Sequence, residues 1–321
     1  MIISSIDIGT NTILLLVADV DPATRKIKPL LNEYRIPRIG KGLIEGKAIT
    51  GDRIQELYKV LEEYREIISG YKCNQVILTA TNAFRIASNA NEIIRKVKNK
   101  LGLNIHVVPG KEEARLSFLG AIGEYFDDKK NMVIDIGGGS TEIIFGQGGE
   151  IKFNESYQVG VVSGTEKFLK RQPPVVEDIH KFKSFITGTL KEIDKHIFSP
   201  DRTIAIAGTP TTLACMKIGL EHYDEFAIEG SSLHKDELSK FIEELSSLTP
   251  DEIKVIYKSI VEGRSDVLLA GTIILHSILC YFGIDEVLVS TRGIRYGAIV
   301  DYLDQMPAMD AGSAKLNHQT Y

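Results

Sequence analysis

Two segments of the sequence share one combination of side chains: a carboxylate at the end of an apolar run, then a glycine turn with hydroxyl groups. The first segment contains Asp7, Gly9, Thr10, Asn11 and Thr12. The second contains Asp135, Gly137, Gly138, Gly139, Ser140, Thr141 and Glu142. Glycine lets backbone N–H groups approach a phosphate closely, and hydroxyls add neutral donors at the same depth. Both turns are therefore predicted to bind phosphate.

The carboxylates beside these turns cannot serve a phosphate directly, because like charges repel. They make chemical sense if a cation or a water stands between, and Mg²⁺ is typically bound by one or two carboxylates while it keeps several waters. Asp7, Asp135 and Glu142 are accordingly predicted to form a metal and water shell. The alternative for either segment alone is an ordinary β-hairpin, since Asp-x-Gly is common in turns. The repetition of the whole set favours ligand binding.

Composition excludes several other classes of protein. Apolar residues make up 43% of the sequence and charged residues 25%, as in a globular protein. The net charge of −5 argues against a nucleic-acid binder held by bulk charge. Without a membrane-length apolar run or a basic leader, the expectation is a cytoplasmic protein with no membrane partner. The histidines and three cysteines lack zinc-site spacing.

The elements that must position these turns follow one order twice along the chain. Three strands precede a helix, a strand and further helices and strands, which predicts an α/β fold with mixed sheets and a ligand cleft between two halves. A polar break at 127–131 sets the predicted boundary between domains 1–126 and 127–305. A final helix over about 293–305 is expected to pack back on the first domain, followed by a tail at 306–321. Other predicted helices cover 50–70, 111–125, 164–169, 176–197, 235–248 and 266–282.

Six motifs, taken in order, resemble the exopolyphosphatase and guanosine-pentaphosphate phosphohydrolase family of the actin, Hsp70 and sugar-kinase superfamily. They lie at 7–12, 80–85, 110–115, 135–142, 208–214 and 290–297. The resemblance implies two ribonuclease-H-like domains with the active site in the cleft between them. It also implies Mg²⁺-dependent removal of a terminal phosphate from inorganic polyphosphate or guanosine pentaphosphate. Other divalent or monovalent cations are open alternatives to Mg²⁺.

The resemblance also carries roles to individual residues. Glu113, the second glutamate of Gly-Lys-Glu-Glu-Ala-Arg, falls on the catalytic glutamate, and Arg85 falls on a phosphate-binding arginine. Arg292 is a further candidate for phosphate, with a structural role at a helix start as the equal alternative. Where ATP-using relatives hold a nucleotide, this chain has Gly208, Thr209 and Thr211. Arg295 flanks Gly293 together with Arg292, and Arg264 resembles a further family position for the polyanion as a weaker candidate.

Two other functions compete with hydrolysis. A sugar or acetate kinase of the same superfamily would transfer phosphate to a bound hydroxyl, usually with an aspartate as base, and the Glu-Glu-Ala-Arg signature argues against it. A non-enzymatic actin-like scaffold would polymerise with ATP and would lose little when Glu113 is replaced. The sequence ranks neither polyphosphate nor guanosine pentaphosphate first, and a homodimer is one assembly that it leaves open.

Overall fold

The strands of the protein form two separate sheets. The computed structural model describes residues 1–123, 127–191, 193 and 199–306. The first sheet consists of β1 (Ile2–Ile8), β2 (Ile13–Asp21), β3 (Lys26–Arg35), β4 (Gln75–Ala80) and β5 (His106–Val107), in the order β3-β2-β1-β4-β5. β1 is antiparallel to β2 and parallel to β4, so the sheet is mixed. Four helices accompany it in the chain: α1 (Gly51–Tyr71), α2 (Asn82–Ile86), α3 (Ala90–Leu101) and α4 (Gly110–Ile122).

The second sheet repeats this arrangement with one more strand. It consists of β6 (Lys130–Ile136), β7 (Thr141–Gln147), β8 (Glu150–Tyr157), β9 (Arg202–Ile206), β10 (Ser232–His234) and β11 (Glu286–Val289), in the order β10-β11-β9-β6-β7-β8. Its helices are α5 (Val161–Phe168), α6 (Val176–Leu190), α7 (Gly208–Ile218), α8 (Glu225–Ile228), α9 (Lys235–Ser246), α10 (Pro250–Tyr257), α11 (Leu268–Phe282) and α12 (Ile294–Gln305), with a 3₁₀ turn at Lys258–Val261. The predicted α/β class with mixed sheets is confirmed.

Both faces of the first sheet are covered, because its strands carry apolar side chains on both faces. Ile6 and Ile8 on one face pack in a cluster that includes Leu61 of α1. Ile3 and its neighbours on the other face pack against Ile299 and other apolar residues of α12. This alternation follows from the period of two of a strand, which turns successive side chains to opposite faces.

Helices α4 and α12 are exchanged between the two halves. α4 follows the first sheet in the chain but packs on the second, where Phe118 and other apolar residues meet β6, β7 and β9. α12 follows the second sheet but packs on the first. The two helices touch backbone to backbone, since a Cβ added at Gly297 would lie 1.8 Å from the carbonyl oxygen of Leu116. The exchange ties the halves together next to the cleft.

Several predicted boundaries differ from the observed ones. The helix predicted at 164–169 begins at Val161, and the one predicted at 266–282 begins at Leu268. The end of the helix predicted at 111–125, part of the helix predicted at 176–197 and positions 307–321 of the predicted tail lie outside the described residues. The short elements α2, α8 and β10 were not predicted, because each has fewer residues than two hydrophobic periods of a helix or a strand. α10 also escaped prediction, although Thr249, Pro250 and Glu252 form a capping box with proline at the first helical position.

The described residues contain no helix that combines the length and the apolarity needed to cross a lipid bilayer.

Candidate functional site

A cavity of about 480 Å³ opens between the two halves of the molecule. Residues from both sheets and from the exchanged helices line it. Among them are most of the residues predicted from the sequence: Asp7, Gly9, Thr10, Asn11, Thr12, Glu113, Asp135, Gly137, Gly138, Gly139, Ser140, Gly208, Thr209 and Thr211. A cavity of this size is typical of small-molecule sites.

The two glycine turns have the same backbone geometry. The amide of Gly9 donates to the carbonyl of Thr12 at 3.0 Å, and the amide of Gly137 donates to the carbonyl of Ser140 at 2.9 Å. Each turn joins two antiparallel strands. At the end of the first strand both copies have the same order of carboxylate, apolar residue and glycine. The repeat seen in the sequence is therefore a repeat of structure.

The second hairpin differs from the first by one carboxylate. In the strand register, Asp7 stands opposite Leu14, whereas Asp135 stands opposite Glu142. Because residues opposite each other on antiparallel strands are near neighbours, Glu142 adds its charge directly beside Asp135. The hydroxyl of Ser156, on β8, donates to Oε1 of Glu142 at 2.6 Å.

Glycine in the second turn allows the two halves to meet. A Cβ added at Gly139 would lie 2.2 Å from Nδ2 of Asn82, and one added at Gly138 would lie 3.0 Å from Cβ of Thr10. Asn82 and Thr10 belong to the first half of the chain. A larger residue at Gly139 would require the Asn82 side chain to move, so these glycines set how closely the cleft closes.

Glu113 lies in the first turn of α4 and is 6% exposed. Its carboxylate accepts a hydrogen bond from Nη1 of Arg85, and the same nitrogen donates to the carbonyl of Val108 at 3.1 Å. Burial raises the pKa of Glu113 to about 7, against the opposing effect of Arg85. Glu113 therefore changes its charge near neutral pH, which suits a group that exchanges a proton with water.

Three other carboxyl groups with raised pKa values share this region. Burial, followed by repulsion from Glu113 and Asp135, raises the pKa of Asp7 to about 8. Burial also raises the pKa values of Asp135 and Glu142, and Glu142 is further raised by the charges of Glu113 and Asp135. Repulsion from Glu113 and Asp135 thus adds to burial at Asp7 and Glu142, and the four carboxyl groups form a site of strongly negative potential when they ionise.

These groups fit a cation held largely through water. Oδ1 of Asp7 and Oδ1 of Asn11 are buried and have no hydrogen-bond partner among the described residues. Over the whole part of the chain that the structure describes, no group of three or more His, Cys, Asp or Glu side chains is arranged to hold a metal ion directly. Mg²⁺ usually keeps several waters. Asp7, Asp135 and Glu142 would therefore bind the ion through its water ligands.

Two arginines also line the cavity, of which Arg295 is buried and Arg264 is half-buried. Nη1 of Arg264 donates to the carbonyl of Gly208 and to Oγ1 of Thr212, both at 3.1 Å. Nη1 of Arg295 donates to Oδ1 of Asn32 at 2.7 Å. Within the described residues, the hydrogen bonds of these two arginines go to neutral oxygens and not to carboxylates. A buried cation with neutral partners is stabilised further by an anionic ligand.

The N-terminus of α7 also faces the cavity. Gly208 and Thr209 begin this helix, whose first N–H groups have no partner within the helix itself and favour anions. The preceding Ala207 has φ +74°, a conformation that costs a residue with a side chain about 1–3 kcal/mol. Backbone strain of this kind clusters at functional sites, and Ala207 lines the cavity.

Three predicted phosphate ligands and the predicted metal ligand Glu142 do not line the cavity. Arg85 is bonded to Glu113, and the Arg292 guanidinium carbon lies 5.1 Å from the centre of the Tyr296 ring. The hydroxyl of Thr141 donates to the carbonyl of Val159 at 2.5 Å. Arg85 thus contacts the candidate catalytic carboxylate in this structure, and its contact with phosphate stays a prediction, as does that of Arg292.

Sequence reasoning missed two serines, Ser117 and Ser156, that hold the carboxylates. Ser117 Oγ donates to Oδ2 of Asp135 at 2.6 Å, and Ser156 makes the corresponding bond to Glu142. Neither serine lies in a recognisable motif. Ser117 stands one helical turn after Glu113, and this spacing is the signal that would have placed it on the same face of α4.

Comparison with known proteins identifies the relatives of this chain. The Ppx/GppA phosphatase family matches residues 16–306. A bifunctional 3-dehydroquinate synthase/phosphatase of Fusobacterium nucleatum is 33% identical over 308 residues, which are 93% of this chain but 46% of that protein. Exopolyphosphatase 2 of Mycobacterium tuberculosis is 29% identical over 309 residues, which are 92% of this chain and 96% of that protein. The chain therefore spans about half the length of the first relative.

Solved structures agree with this assignment. The Aquifex aeolicus member of the Ppx/GppA family is 30% identical with a TM-score of 0.82, covering 96% of this chain and 99% of its own. An exopolyphosphatase from Cytophaga hutchinsonii is 26% identical with a TM-score of 0.87, covering 96% of this chain and 99% of its own. The predicted actin-like fold with two domains is confirmed. This chain belongs to the Ppx/GppA phosphatase family.

Proposed function

We propose that this phosphatase is a Mg²⁺-dependent hydrolase of phosphoanhydrides that releases terminal orthophosphate from inorganic polyphosphate, from guanosine pentaphosphate, or from both. The observation that carries the proposal is the convergence of three carboxyl groups, those of Asp7, Glu113 and Asp135, and two phosphate-type turns on one cavity, with Glu142 directly opposite Asp135 in the strand register. Hydrolysis of a terminal phosphate needs an aligned water, a group that positions it, and positive charge near the phosphoryl oxygens. The cavity contains candidates for each part.

Glu113 would position the attacking water and accept its proton. Its pKa of about 7 is matched to that task near neutral pH. The hydrogen bond from Arg85 holds the carboxylate in place at the start of α4. The backbone amides and hydroxyls of the turns at 9–12 and 137–140 would orient the terminal phosphate between the two halves.

A bound Mg²⁺ would neutralise charge on the phosphoryl group. Asp7, Asp135 and Glu142 are the residues that would hold it through water. Arg264 and the N-terminus of α7 would take the next phosphate of the substrate, because both present positive potential with neutral partners. These roles together describe a site for a short run of phosphates.

The part of the cavity lined by Tyr34, Tyr223 and Glu225, called here the aromatic pocket, supports a substrate that ends in something other than more phosphate. Tyr34 and Tyr223 line it, with ring centres 6.0 Å apart, and Glu225 is held there by a hydrogen bond from Asn32. A carboxylate repels a continuing phosphate chain, whereas aromatic rings and a hydrogen-bond acceptor suit a nucleobase. These residues favour guanosine pentaphosphate over long polyphosphate.

The test is a side-by-side assay of phosphate release. Purified protein would receive guanosine pentaphosphate or polyphosphate of defined length, with Mg²⁺ and with a chelator. The expected result is release that requires Mg²⁺ and is more efficient, as kcat/KM, with guanosine pentaphosphate. Full activity in chelator would exclude the metal-dependent mechanism. A preference for long polyphosphate would overturn the assignment of the aromatic pocket to a nucleobase.

The same assay separates hydrolysis from the two competing functions. A kinase would consume ATP only when an acceptor hydroxyl is present, and a scaffold would assemble with ATP and release no phosphate. Sedimentation with and without ATP tests the scaffold directly. ATP-dependent assembly that survives replacement of Glu113 would favour it.

A further inference from the structure

Ser117 is buried beside the candidate active site, and its role is not explained by packing alone. Its side chain is 0% exposed and lies on α4 between Leu116 and Phe118. Its hydroxyl donates to Oδ2 of Asp135 on β6, across the interface between helix and sheet, at 2.6 Å. This bond lies beside the apolar contacts that Ala114 and Phe118 of the same helix make with the second sheet.

Three other hydroxyl residues in the helices of this protein behave differently. Thr165, Thr189 and Thr272 each donate to the carbonyl four residues earlier in their own helix, at 2.7, 2.9 and 2.8 Å. That local bond is the usual choice for a hydroxyl in a helix. Ser117 instead donates to Asp135, so its hydroxyl serves a contact outside its own helix.

The position of Ser117 links two groups of the site. It stands one turn after Glu113, and residues at this spacing lie on the same face of a helix. One face of α4 thus presents Glu113 to the cavity and binds one oxygen of Asp135. Because Ser117 occupies Oδ2, the other oxygen of Asp135 remains for ligands in the cavity that this residue lines.

The helix that carries Ser117 is itself held firmly. Phe118 packs so closely against β7 that a Cβ added at Gly146 would lie 2.4 Å from its ring, and α12 contacts the α4 backbone at Leu116. Arg115 forms an ion pair with Asp301 of α12. A hydrogen bond from such a fixed helix restrains Asp135 more than one from a loop would.

We propose that Ser117 is a positioning residue, whose hydroxyl fixes the Asp135 carboxylate relative to Glu113, the two groups that would hold the hydrated cation and the attacking water. This role rests on the proposed hydrolase function. A hydrogen bond to a charged group contributes about 1.5–3 kcal/mol, and a tenfold change in rate corresponds to about 1.4 kcal/mol. Loss of the hydroxyl is therefore expected to lower turnover by about tenfold or more.

The experiment compares Ser117→Ala and Ser117→Thr with a matched control. Ser277→Ala is that control, because Ser277 is also a buried helical serine and its hydroxyl has no partner among the described residues. For each variant, kcat and KM are measured for the better substrate, together with the Mg²⁺ concentration that gives half of the full rise in melting temperature without substrate. This second readout does not depend on turnover.

Ser117→Ala should lower kcat about tenfold with KM changed less than about threefold, and should raise the half-saturating Mg²⁺ concentration about threefold or more. Ser117→Thr, which keeps the donor, should recover most of the turnover, and Ser277→Ala should match the wild type. The proposal is overturned if Ser117→Ala matches Ser277→Ala in both readouts, or if Ser117→Thr loses as much turnover as Ser117→Ala. A wild type that releases no phosphate from either substrate would refute the hydrolase function, while the Mg²⁺ titration would still test the Ser117 contact. A wild type that also shows no rise with Mg²⁺ would overturn both.

Discussion

Replacement of Glu113 by glutamine separates the catalytic role of this residue from its effect on stability. Glutamine has nearly the same shape and keeps an oxygen for Arg85, but it cannot take a proton from water. A general base contributes about 10²–10⁴-fold to a rate. We therefore expect Glu113→Gln to lower kcat by about 10²-fold or more, with KM largely kept.

The effect on stability has the opposite sign. Burial raises the pKa of Glu113 from 4.5 to about 7. A carboxyl group with a raised folded-state pKa contributes stability that is fully present below about pH 4.5 and is lost as the pH rises through about 7. The difference corresponds to an upper limit of about 3 kcal/mol, which the ionised group costs the folded state at pH 8. Glu113→Gln should therefore be more stable than the wild type at pH 8 without cations, although it is much less active.

The assay measures phosphate release and urea unfolding from pH 5.5 to 9. In the wild type, kcat/KM should rise as the pH increases through about 7, because the base must be ionised. The matched control is Glu112→Gln, the same change one position earlier at a half-exposed glutamate that pairs with Arg115. It should retain activity within a fewfold of the wild type. Turnover of Glu113→Gln within about tenfold of the wild type, or a kcat/KM that is flat across pH 7, would refute the role of Glu113.

Three further changes test the structure around the site. Asp7→Asn should raise the unfolding free energy at pH 8 without divalent cations. The pKa of Asp7 rises from 3.8 to about 8 on folding, so the stability that the protonated carboxyl group contributes is lost as the pH approaches 8. Equal urea midpoints for variant and wild type at that pH would contradict this. Gly297→Ala should destabilise by about 3 kcal/mol or more, because its methyl group would overlap the α4 backbone, while Gly188→Ala, at a helical glycine with open space around it, should change the urea midpoint little. A Gly297→Ala protein as stable as Gly188→Ala would show that the helix contact is not tight. Arg264→Gln should raise KM about tenfold or more with a smaller effect on kcat, whereas Arg25→Gln, which removes an exposed ion pair, should leave both unchanged; steady-state kinetics would refute the assignment if the two variants behaved alike.

The parts of the site that the sequence predicts well are those made from neighbouring residues. In each hairpin, Asp7 or Asp135, the glycines and the hydroxyls follow one another directly, so a local pattern of two strands and a tight turn already places them together. The burial of these strands on both faces is likewise visible as near-continuous apolar runs, such as Ile13-Leu14-Leu15-Leu16-Val17. Local patterning therefore predicted both turns and the α/β class.

Glu113 shows where local patterning stops. The residues next to Glu113 in the sequence are typical of an ordinary helix start, and the resemblance to a family was needed to give Glu113 a role. That α4 crosses to the second sheet, and so brings Glu113 beside Asp135, depends on Phe118 meeting residues of distant strands. No periodicity within α4 specifies which sheet covers its apolar face.

The amino-acid sequence by itself determined the two glycine turns, their carboxylates and the strands that carry them, because these are short-range features of the chain. Only the tertiary structure decided that Ser117 holds Asp135, that Arg264 faces the cavity with neutral partners, and that Arg85 contacts Glu113. The physical reason is that burial and pairing across long chain separations set the charge and direction of each group. The same side chains in an extended chain would have ordinary pKa values and no common cavity.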